Sequence, residues 1–233
     1  MPELLPVLDL WAGSRSATAA WASCDYEIVS VDNDPDTNPT ICKDILSVTV
    51  DELKERAPNG YAFGWASPDC SIYSLMNMRW SRHWEVRGNW AYPNTDQAIE
   101  ANKRLVWTIH LLESLFDEGL LPYFVIENPR AMMRKQQFLS RFQRDTVSYC
   151  QYGDDRMKPT DLFGRLPPSF FPLMCANNSP QCTHRRAPRG SGNGTQGMPR
   201  SEAQRIPFEL SSAMMDAVLH SDGAQRMTLG DFT

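Results

Sequence analysis

No run of apolar residues in this chain approaches the ~18 residues that crossing a bilayer requires, so a membrane-spanning role is not expected. A basic stretch ahead of an apolar block is also missing. The opening "MPELLPVLDLW" carries an acid and two prolines instead, so a secretory leader is not expected and the chain reads as cytoplasmic. Tightly spaced cysteine pairs are absent too. The six cysteines, at positions 24, 42, 70, 150, 175 and 182 of 233, are scattered in a way that suits reduced thiols better than a small secreted disulfide scaffold. Positive charge is in deficit: a formal net charge of −5 argues against bulk attraction to nucleic acid and leaves such contacts to local clusters. No internal repeat is visible, which sets aside solenoid and propeller architectures.

What is present is an alternation of short apolar runs and helical patterns. "LLPVLDLWAG" reads as a strand ending near Asp9 and turning at Gly13, and "SRSATAAWASC" as a helix of small residues. "YEIVSVDND" repeats the strand, followed by "KDIL", a helix near Val50 to Arg56 and the strand "YAFGWAS". From Thr95, a suitable N-cap, apolar residues recur at helical spacing through Ile99, Leu105, Val106, Ile109, Leu112, Leu115 and Phe116. "YFVIEN" then predicts a strand, 130–144 a basic helix and "TVSYCQY" a further strand. Strands alternating with helices imply an α/β fold with a parallel sheet covered on both faces. Ligands of such sheets bind beyond the carboxyl ends of the strands, so Asp9, Asp32, Cys70 and Glu127, each after an apolar strand, are expected along one rim.

Two of these residues carry chemistry. Cys70 stands where a strand gives way to a loop, in "FGWASPDCSIYS", which leaves its thiol accessible for nucleophilic work. Glu127 ends an apolar strand in "VIENP", where lost hydration raises a carboxyl pKa, as a general acid at neutral pH requires. Each alone has a plain alternative: an incidental thiol, or an acid capping the next helix.

The order of these features resembles the DNA cytosine 5-methyltransferases, in particular the compact enzymes carried by bacteriophages. "VLDLWAGSRSATAAW" is similar to the family's first cofactor motif through Asp9, Leu10, Trp11, Ala12 and Gly13; "VSVDND" to the acidic end of the second strand; and "KDIL" to the next short motif. "ASPDCSIYS" resembles the Pro-Cys nucleophile loop and "VIENPR" the Glu-Asn motif, and the likeness covers roughly residues 4 to 165. It implies a Rossmann-like S-adenosylmethionine-dependent methyltransferase sheet and methylation of cytosine carbon-5 through a covalent Cys70 adduct on a flipped-out base. It assigns Cys70 as nucleophile, Glu127 as acid at cytosine N3 and Asn128 as structural. Asp9, Trp11, Ala12, Gly13, Asp32, Asn33, Asp44, Ile45 and Pro68 are the implied cofactor residues, with Asp32 at the ribose hydroxyls, Asp44 at the adenine amino group and Ile45 beside the ring. Double-stranded DNA is the implied partner of a monomer in a bacterial or phage-infected cell. Where the family usually has proline, Asp69 directly precedes Cys70, and its charge should raise the thiol pKa unless the carboxylate turns away. In "YGDDRMKPTDLF", Lys158 and Thr160 take the places of the family's two arginines near the target base.

The remaining segments point to DNA contacts. Residues 71–92 interleave Arg79, Arg82, Arg87 and His83 with Tyr73, Trp80, Trp84, Trp90 and Tyr92, lack clean periodicity, and are expected to form a mobile DNA-facing loop with Trp80 or Trp84 filling the vacated stack. The segment from Arg130 to Arg144 holds five basic residues and no acid, and Arg130 and Lys158 are assigned to DNA. Residues 1–163 form the expected catalytic and cofactor domain, 164–205 a small recognition lobe contacting DNA through Arg185, Arg186 and Arg189, and 206–233 a helix from about Pro207 to Leu219 with a tail. Cys175, Cys182 and His184, with Cys150 as the nearest fourth candidate, are more widely spaced than structural zinc ligands normally are, so a disulfide or plain thiols are expected and no metal is assigned. Two other functions share these features: an amino-methyltransferase acting on an exocyclic nitrogen, which needs no thiol, and a catalytically weak cofactor- and DNA-binding regulator. RNA in place of DNA is open.

Overall fold

The computed structural model describes residues 4–74, 80–176, 182, 184 and 200–230. Among the described residues, nine strands make up two sheets: β1 (Val7–Leu10), β2 (Ile28–Asp32), β3 (Ile41–Cys42), β4 (Phe63–Ala66), β5 (Trp84–Arg87), β6 (Trp90–Pro93), β7 (Phe124–Pro129), β8 (Gln143–Ser148) and β9 (Pro159–Arg165). The main sheet runs β3-β2-β1-β4-β7-β9-β8, while β5 and β6 pair as a separate hairpin. The order reverses beside β1, so the chain ends of β1 and β4 flank a topological switch point where α/β sheets bind ligands.

The helices are α1 (Ala19–Ser23), α2 (Val50–Arg56), α3 (Trp80–His83), α4 (Asp96–Asp117), α5 (Arg200–Gln204) and α6 (Phe208–Gly230). Strand parity divides the core. Leu8, Leu10, Val29, Val31, Phe124 and Ile126 face α2 and α4, where Leu53, Leu105, Ile109, Leu112 and Leu115 meet them. Val7, Phe63, Trp65 and Val125 face the other way, onto Trp21 of α1 and Leu210, Met214 and Val218 of α6. Trp21 stacks on Phe63 with ring centroids 5.1 Å apart. The long α4 begins where Thr95 accepts a hydrogen bond from the Ala98 amide at 3.3 Å, as the N-cap reading expects. Ile99 and Val106 of its apolar series are exposed instead of buried.

Four expectations are corrected. The sheet is not parallel throughout: β9 is antiparallel to β7 and to β8. Gly164 makes the β9 crossing possible, since its φ is +143° and a Cβ there would lie 2.3 Å from the Phe124 carbonyl oxygen. The basic helix expected over 130–144 is two single 3-10 turns, Met132–Lys135 and Gln137–Leu139, followed by β8. Buried Met132, Met133 and Leu139 pull this segment onto the core without a continuous helical face. Residues 80–93 are not irregular, since they form α3 and the β5–β6 hairpin. The helical backbone of α6 also continues to Gly230, past the expected end near Leu219. Among the described residues, no helix is long and apolar enough to cross a membrane.

The C-terminal helix closes the face that carries α1. Ser211 donates to the Ala17 carbonyl at 2.7 Å and accepts from the Ala20 amide at 3.1 Å, which fixes α6 against the turn after β1.

Candidate active site

The first strand ends in a turn with little conformational freedom. Trp11 has φ of +63° and Gly13 φ of +46°, left-handed values that are costly for an aromatic residue and easy for glycine. Trp11 is held there by its indole N–H, which donates to Thr108 Oγ1 at 3.0 Å. The Gly13 amide donates to Asp32 Oδ2 at 2.8 Å, tying the end of β1 to the end of β2, and Asp34 N donates to Asp32 Oδ1 at 2.9 Å. Ala12 is buried, and its amide donates to the Val31 carbonyl at 3.1 Å.

These bonds shape a hollow lined by Trp11, Val31, Asp32, Asn33, Lys43, Asp44 and Ile45. Five of the residues assigned to the cofactor therefore converge. Asp44 caps the following 3-10 turn through Leu46 N at 3.0 Å and pairs with Arg104 at 2.9 Å, so both oxygens already have a partner. Four lone-pair directions on a carboxylate still leave room for another donor. A larger cleft of about 420 Å³ adjoins it, lined by Trp11, Pro68, Asp69, Ser71, Ile72 and Tyr73 and, on α4, by Asp96, Glu100 and Arg104. Trp11 borders both spaces.

Asp9 is not on the rim. Strand parity turns it beneath α1, fully buried, where Thr18 Oγ1 donates to Oδ2 at 2.8 Å and Oδ1 has no partner among the described residues. Burial pushes its pKa up to about 7.

Cys70 lies in the loop after β4, and Glu127 lies within the adjacent strand β7. Asn128 joins the two strand ends by donating to the Pro68 carbonyl at 3.2 Å, consistent with a structural role. Glu127 is 6% exposed and accepts from the Tyr149 hydroxyl at 2.9 Å. Burial raises its pKa above the usual carboxylate range, opposed by Lys158 and by hydrogen bonds from Tyr149 and Ser67. The Cys70 thiol is pushed up to about 11, chiefly by burial and then by the Glu127 charge, with Lys158 pulling the other way and Asp69 adding a smaller upward push. Asp69 is turned toward Ser71, accepting from its amide at 3.0 Å and its hydroxyl at 2.7 Å.

Lys158 has its own pKa lowered by burial, stands 4.5 Å from the centre of the Tyr149 ring and donates to the Ala203 carbonyl at 3.2 Å. Thr160 is fully buried, with its hydroxyl donating to the Lys158 carbonyl at 3.2 Å, so it is not presented to a base. Cys70, Glu127 and Lys158 thus form one electrostatic cluster near the carboxyl ends of β4 and β7 and the start of β9, beside the cleft lined by Pro68 and Asp69.

The sequence matches no family model and no curated protein. Among solved structures, the chain is similar to Dnmt2 methyltransferase of S. pombe, with 16% identity, TM-score 0.43, and coverage of 70% of this chain and 50% of that one. It is also similar to the methyltransferase EhMeth of Entamoeba histolytica, with 14% identity, TM-score 0.47, and coverage of 74% and 57%. A mutant of Spodoptera frugiperda DNMT2 gives 16% identity, TM-score 0.44, and coverage of 69% and 50%. The chain spans about half the length of these proteins.

The residues assigned to DNA fare unevenly. Trp84 is corrected: it is 2% exposed, stacks on Tyr73 at 5.3 Å and donates its indole N–H to the Ile72 carbonyl at 2.9 Å, so it belongs to the core. Arg82 and Arg130 are exposed, and Trp80 opens α3. Arg79, Arg185, Arg186 and Arg189 lie outside the described residues. Part of the 130–144 basic cluster is engaged internally: Arg134 grips the buried Asp161 at 2.8 and 2.6 Å, and Arg141 pairs with Glu113. Sequence reading missed Tyr149, the Arg134–Asp161 pair, Thr18 under Asp9 and Arg104 on Asp44. The first, second and fourth partners lie 22, 27 and 60 positions from the acids they serve, which leaves no local pattern to find.

Proposed function

We propose that this chain is an S-adenosylmethionine-dependent methyltransferase acting on carbon-5 of cytosine in DNA. The observation that carries the reading is the placement of Cys70 after β4 and Glu127 on the adjacent β7, electrostatically coupled, beside the cleft that adjoins a hollow gathering Trp11, Asp32, Asn33, Asp44 and Ile45. The groups around that hollow suit the polar and flat parts of an adenosine, whose bulk falls to the adjoining cleft of about 420 Å³: a carboxylate with spare lone pairs at Asp32 for ribose hydroxyls, and flat or apolar walls from Trp11 and Ile45. When bound, the cofactor supplies an electrophilic methyl group to carbon-5.

The protein's task is to make carbon-5 a nucleophile. The Cys70 thiolate, its own proton released to solvent, bonds to carbon-6 as Glu127 gives its proton to N3, so electron density moves onto carbon-5. After methylation a base takes the carbon-5 proton, N3 returns its proton to Glu127, and Cys70 leaves as thiolate while the double bond returns. A resting thiol with a pKa near 11 needs activation. Protonation of Glu127 removes the second largest cause of that elevation, and Lys158 favours the thiolate throughout. Burial of Glu127 and its raised pKa suit it to arrive carrying a proton. A base within a duplex is out of reach of such a pair, so the target must leave the stack.

The test is incubation with S-adenosylmethionine and duplex DNA containing 5-fluorocytosine, whose carbon-5 cannot lose a proton. A denaturant-resistant adduct is expected, absent in Cys70→Ala. Intact cofactor and DNA binding without an adduct would instead favour a regulator or a nitrogen target.

A further inference from the structure

Away from Cys70, three thiols and an imidazole are drawn together at the outer edge of the sheet. Cys150 lies in the 3-10 turn that follows β8, and Cys175 lies on the return from β9. Their relation is set by backbone bonds: Ser148 N donates to the Leu173 carbonyl at 2.9 Å, Cys175 N to Ser148 Oγ at 3.0 Å, and Leu173 N to the Tyr152 hydroxyl at 3.0 Å. Cys182 and His184 come up against this pair. Cys175 Sγ is 3.4 Å from Cys182 Sγ and 3.7 Å from His184 Nδ1, Cys182 Sγ is 2.7 Å from His184 Nδ1, and all four ligand atoms lie within 4.8 Å of one another.

None of the six cysteines is in a disulfide, which corrects one of the two states expected for Cys175 and Cys182. A tetrahedral Zn²⁺ with bonds of about 2.3 Å to sulfur and about 2.1 Å to nitrogen sets its ligand atoms roughly 3.5–3.8 Å apart. The cluster brackets that spacing.

We propose that Cys150, Cys175, Cys182 and His184 form a structural zinc site that fastens the start of the basic segment to the edge of the catalytic sheet. Thiolate and imidazole donors select zinc over the oxygen-seeking divalent cations. Four protein ligands fill a tetrahedron, so the site is closed and has no open position for catalysis. Binding releases one proton from each of the three thiols, giving Zn²⁺, three thiolates and a neutral imidazole a net charge of −1.

The position gives the site its purpose. The residues that follow, "RRAPRGSGNGTQGMP", are rich in glycine and arginine and carry little apolar material of their own to bury. At their far end, α5 is held by Arg156, which donates to the Glu202 and Ala203 carbonyls at 3.2 and 3.0 Å, and by Lys158. Zinc at His184 supplies the anchor at the near end, leaving a short basic span tied at both ends. Cys150 also directly follows Tyr149, the donor to Glu127. The proposal stands whatever reaction the site at Cys70 carries out.

The test uses the full chain, purified reduced and without a metal-chelating tag. Elemental analysis should find about one zinc per chain. Cys182→Ser and His184→Ala, at partly exposed positions outside the sheet, should lose it while keeping the far-ultraviolet circular dichroism of the parent. Cys24→Ser and Cys42→Ser, at exposed thiols elsewhere, should retain it. Cobalt added to the metal-free protein should give the strong visible bands of a tetrahedral thiolate site, with a melting temperature several degrees above the metal-free form. A zinc-free preparation that takes up neither zinc nor cobalt at micromolar concentration would overturn the proposal. So would a Cys175–Cys182 disulfide as the stable form in the cell.

Discussion

Apart from Asp9, buried beneath α1, the two halves of the main sheet treat their carboxylates differently. On the parallel side, Asp32 and Asp44 stand half-buried at the ends of β2 and β3, and accept backbone N–H groups two residues downstream, from Asp34 and Leu46. On the antiparallel side, Glu127 and Asp161 are buried and rely on distant groups: Tyr149 for the first, Arg134 and Thr146 for the second. A turn can prepare a half-exposed acid as a hydrogen-bond acceptor by itself. A buried acid needs partners that only the folded chain supplies, and burial biases Glu127 toward holding a proton. The halves are thus suited to different work, ligand recognition on one side and proton transfer on the other, with Cys70 at the boundary.

That contrast can be broken most decisively at Glu127. Glu127→Gln should lower the rate of methyl transfer by about 10²- to 10⁴-fold, as loss of a general acid does. The same change should quicken alkylation of Cys70 at a pH where Glu127 is ionised, because that charge helps hold the thiol pKa near 11, and should leave it unchanged where Glu127 is protonated. In the parent protein, alkylation should climb about tenfold per pH unit below that value, since only the thiolate reacts. Stopped-time labelling followed by peptide mass analysis measures both; equal alkylation in parent and variant at every pH would show that the two groups are not coupled.

An intermediate effect is expected on the other half. Asp32→Ala should weaken S-adenosylmethionine binding by about 10- to 100-fold, the value of hydrogen bonds to a charged acceptor, while leaving Cys70 alkylation unchanged. Titration calorimetry reads the first and labelling the second, and a change in both would mean that the halves are not separable.

The smallest effect belongs to Asp69. Asp69→Asn should quicken alkylation of Cys70 by less than about threefold, because the carboxylate is exposed, faces Ser71 and contributes less to the raised thiol pKa than burial or Glu127. A tenfold or larger rise would show that Asp69, not Glu127, controls the nucleophile.

How much of this was legible follows the same division. The strands of the parallel half and the N-cap at Thr95 could be read from short patterns, because each rests on near neighbours in sequence, whereas the gathering of Trp11, Asp32, Asn33, Asp44 and Ile45 from three strand ends was implied only by the family resemblance. The segment 130–144 could not: its buried methionines lie in a single 3-10 turn, Arg134 serves the buried Asp161, and Arg141 pairs with Glu113 at the surface. Trp84 failed for a related reason. An aromatic beside arginines has the composition of a nucleic-acid contact, yet hairpin pairing of β5 with β6 and stacking on Tyr73 place its ring inside.

The sequence by itself determined the alternation of strands and helices, the carboxyl-end placement of Asp32, Cys70 and Glu127, and the turn at Gly13, since all follow from periodicity and local backbone geometry. Tertiary structure decided the rest. It turned Asp9 under α1, gave Glu127 its partner in Tyr149, drew Lys158 toward Cys70 and gathered Cys150, Cys175, Cys182 and His184 at one edge. The physical reason is common to all four. The desolvation that sets the character of a buried charge, and the distance that makes a set of ligands, depend on groups far apart in the chain and exist only once the sheet has closed.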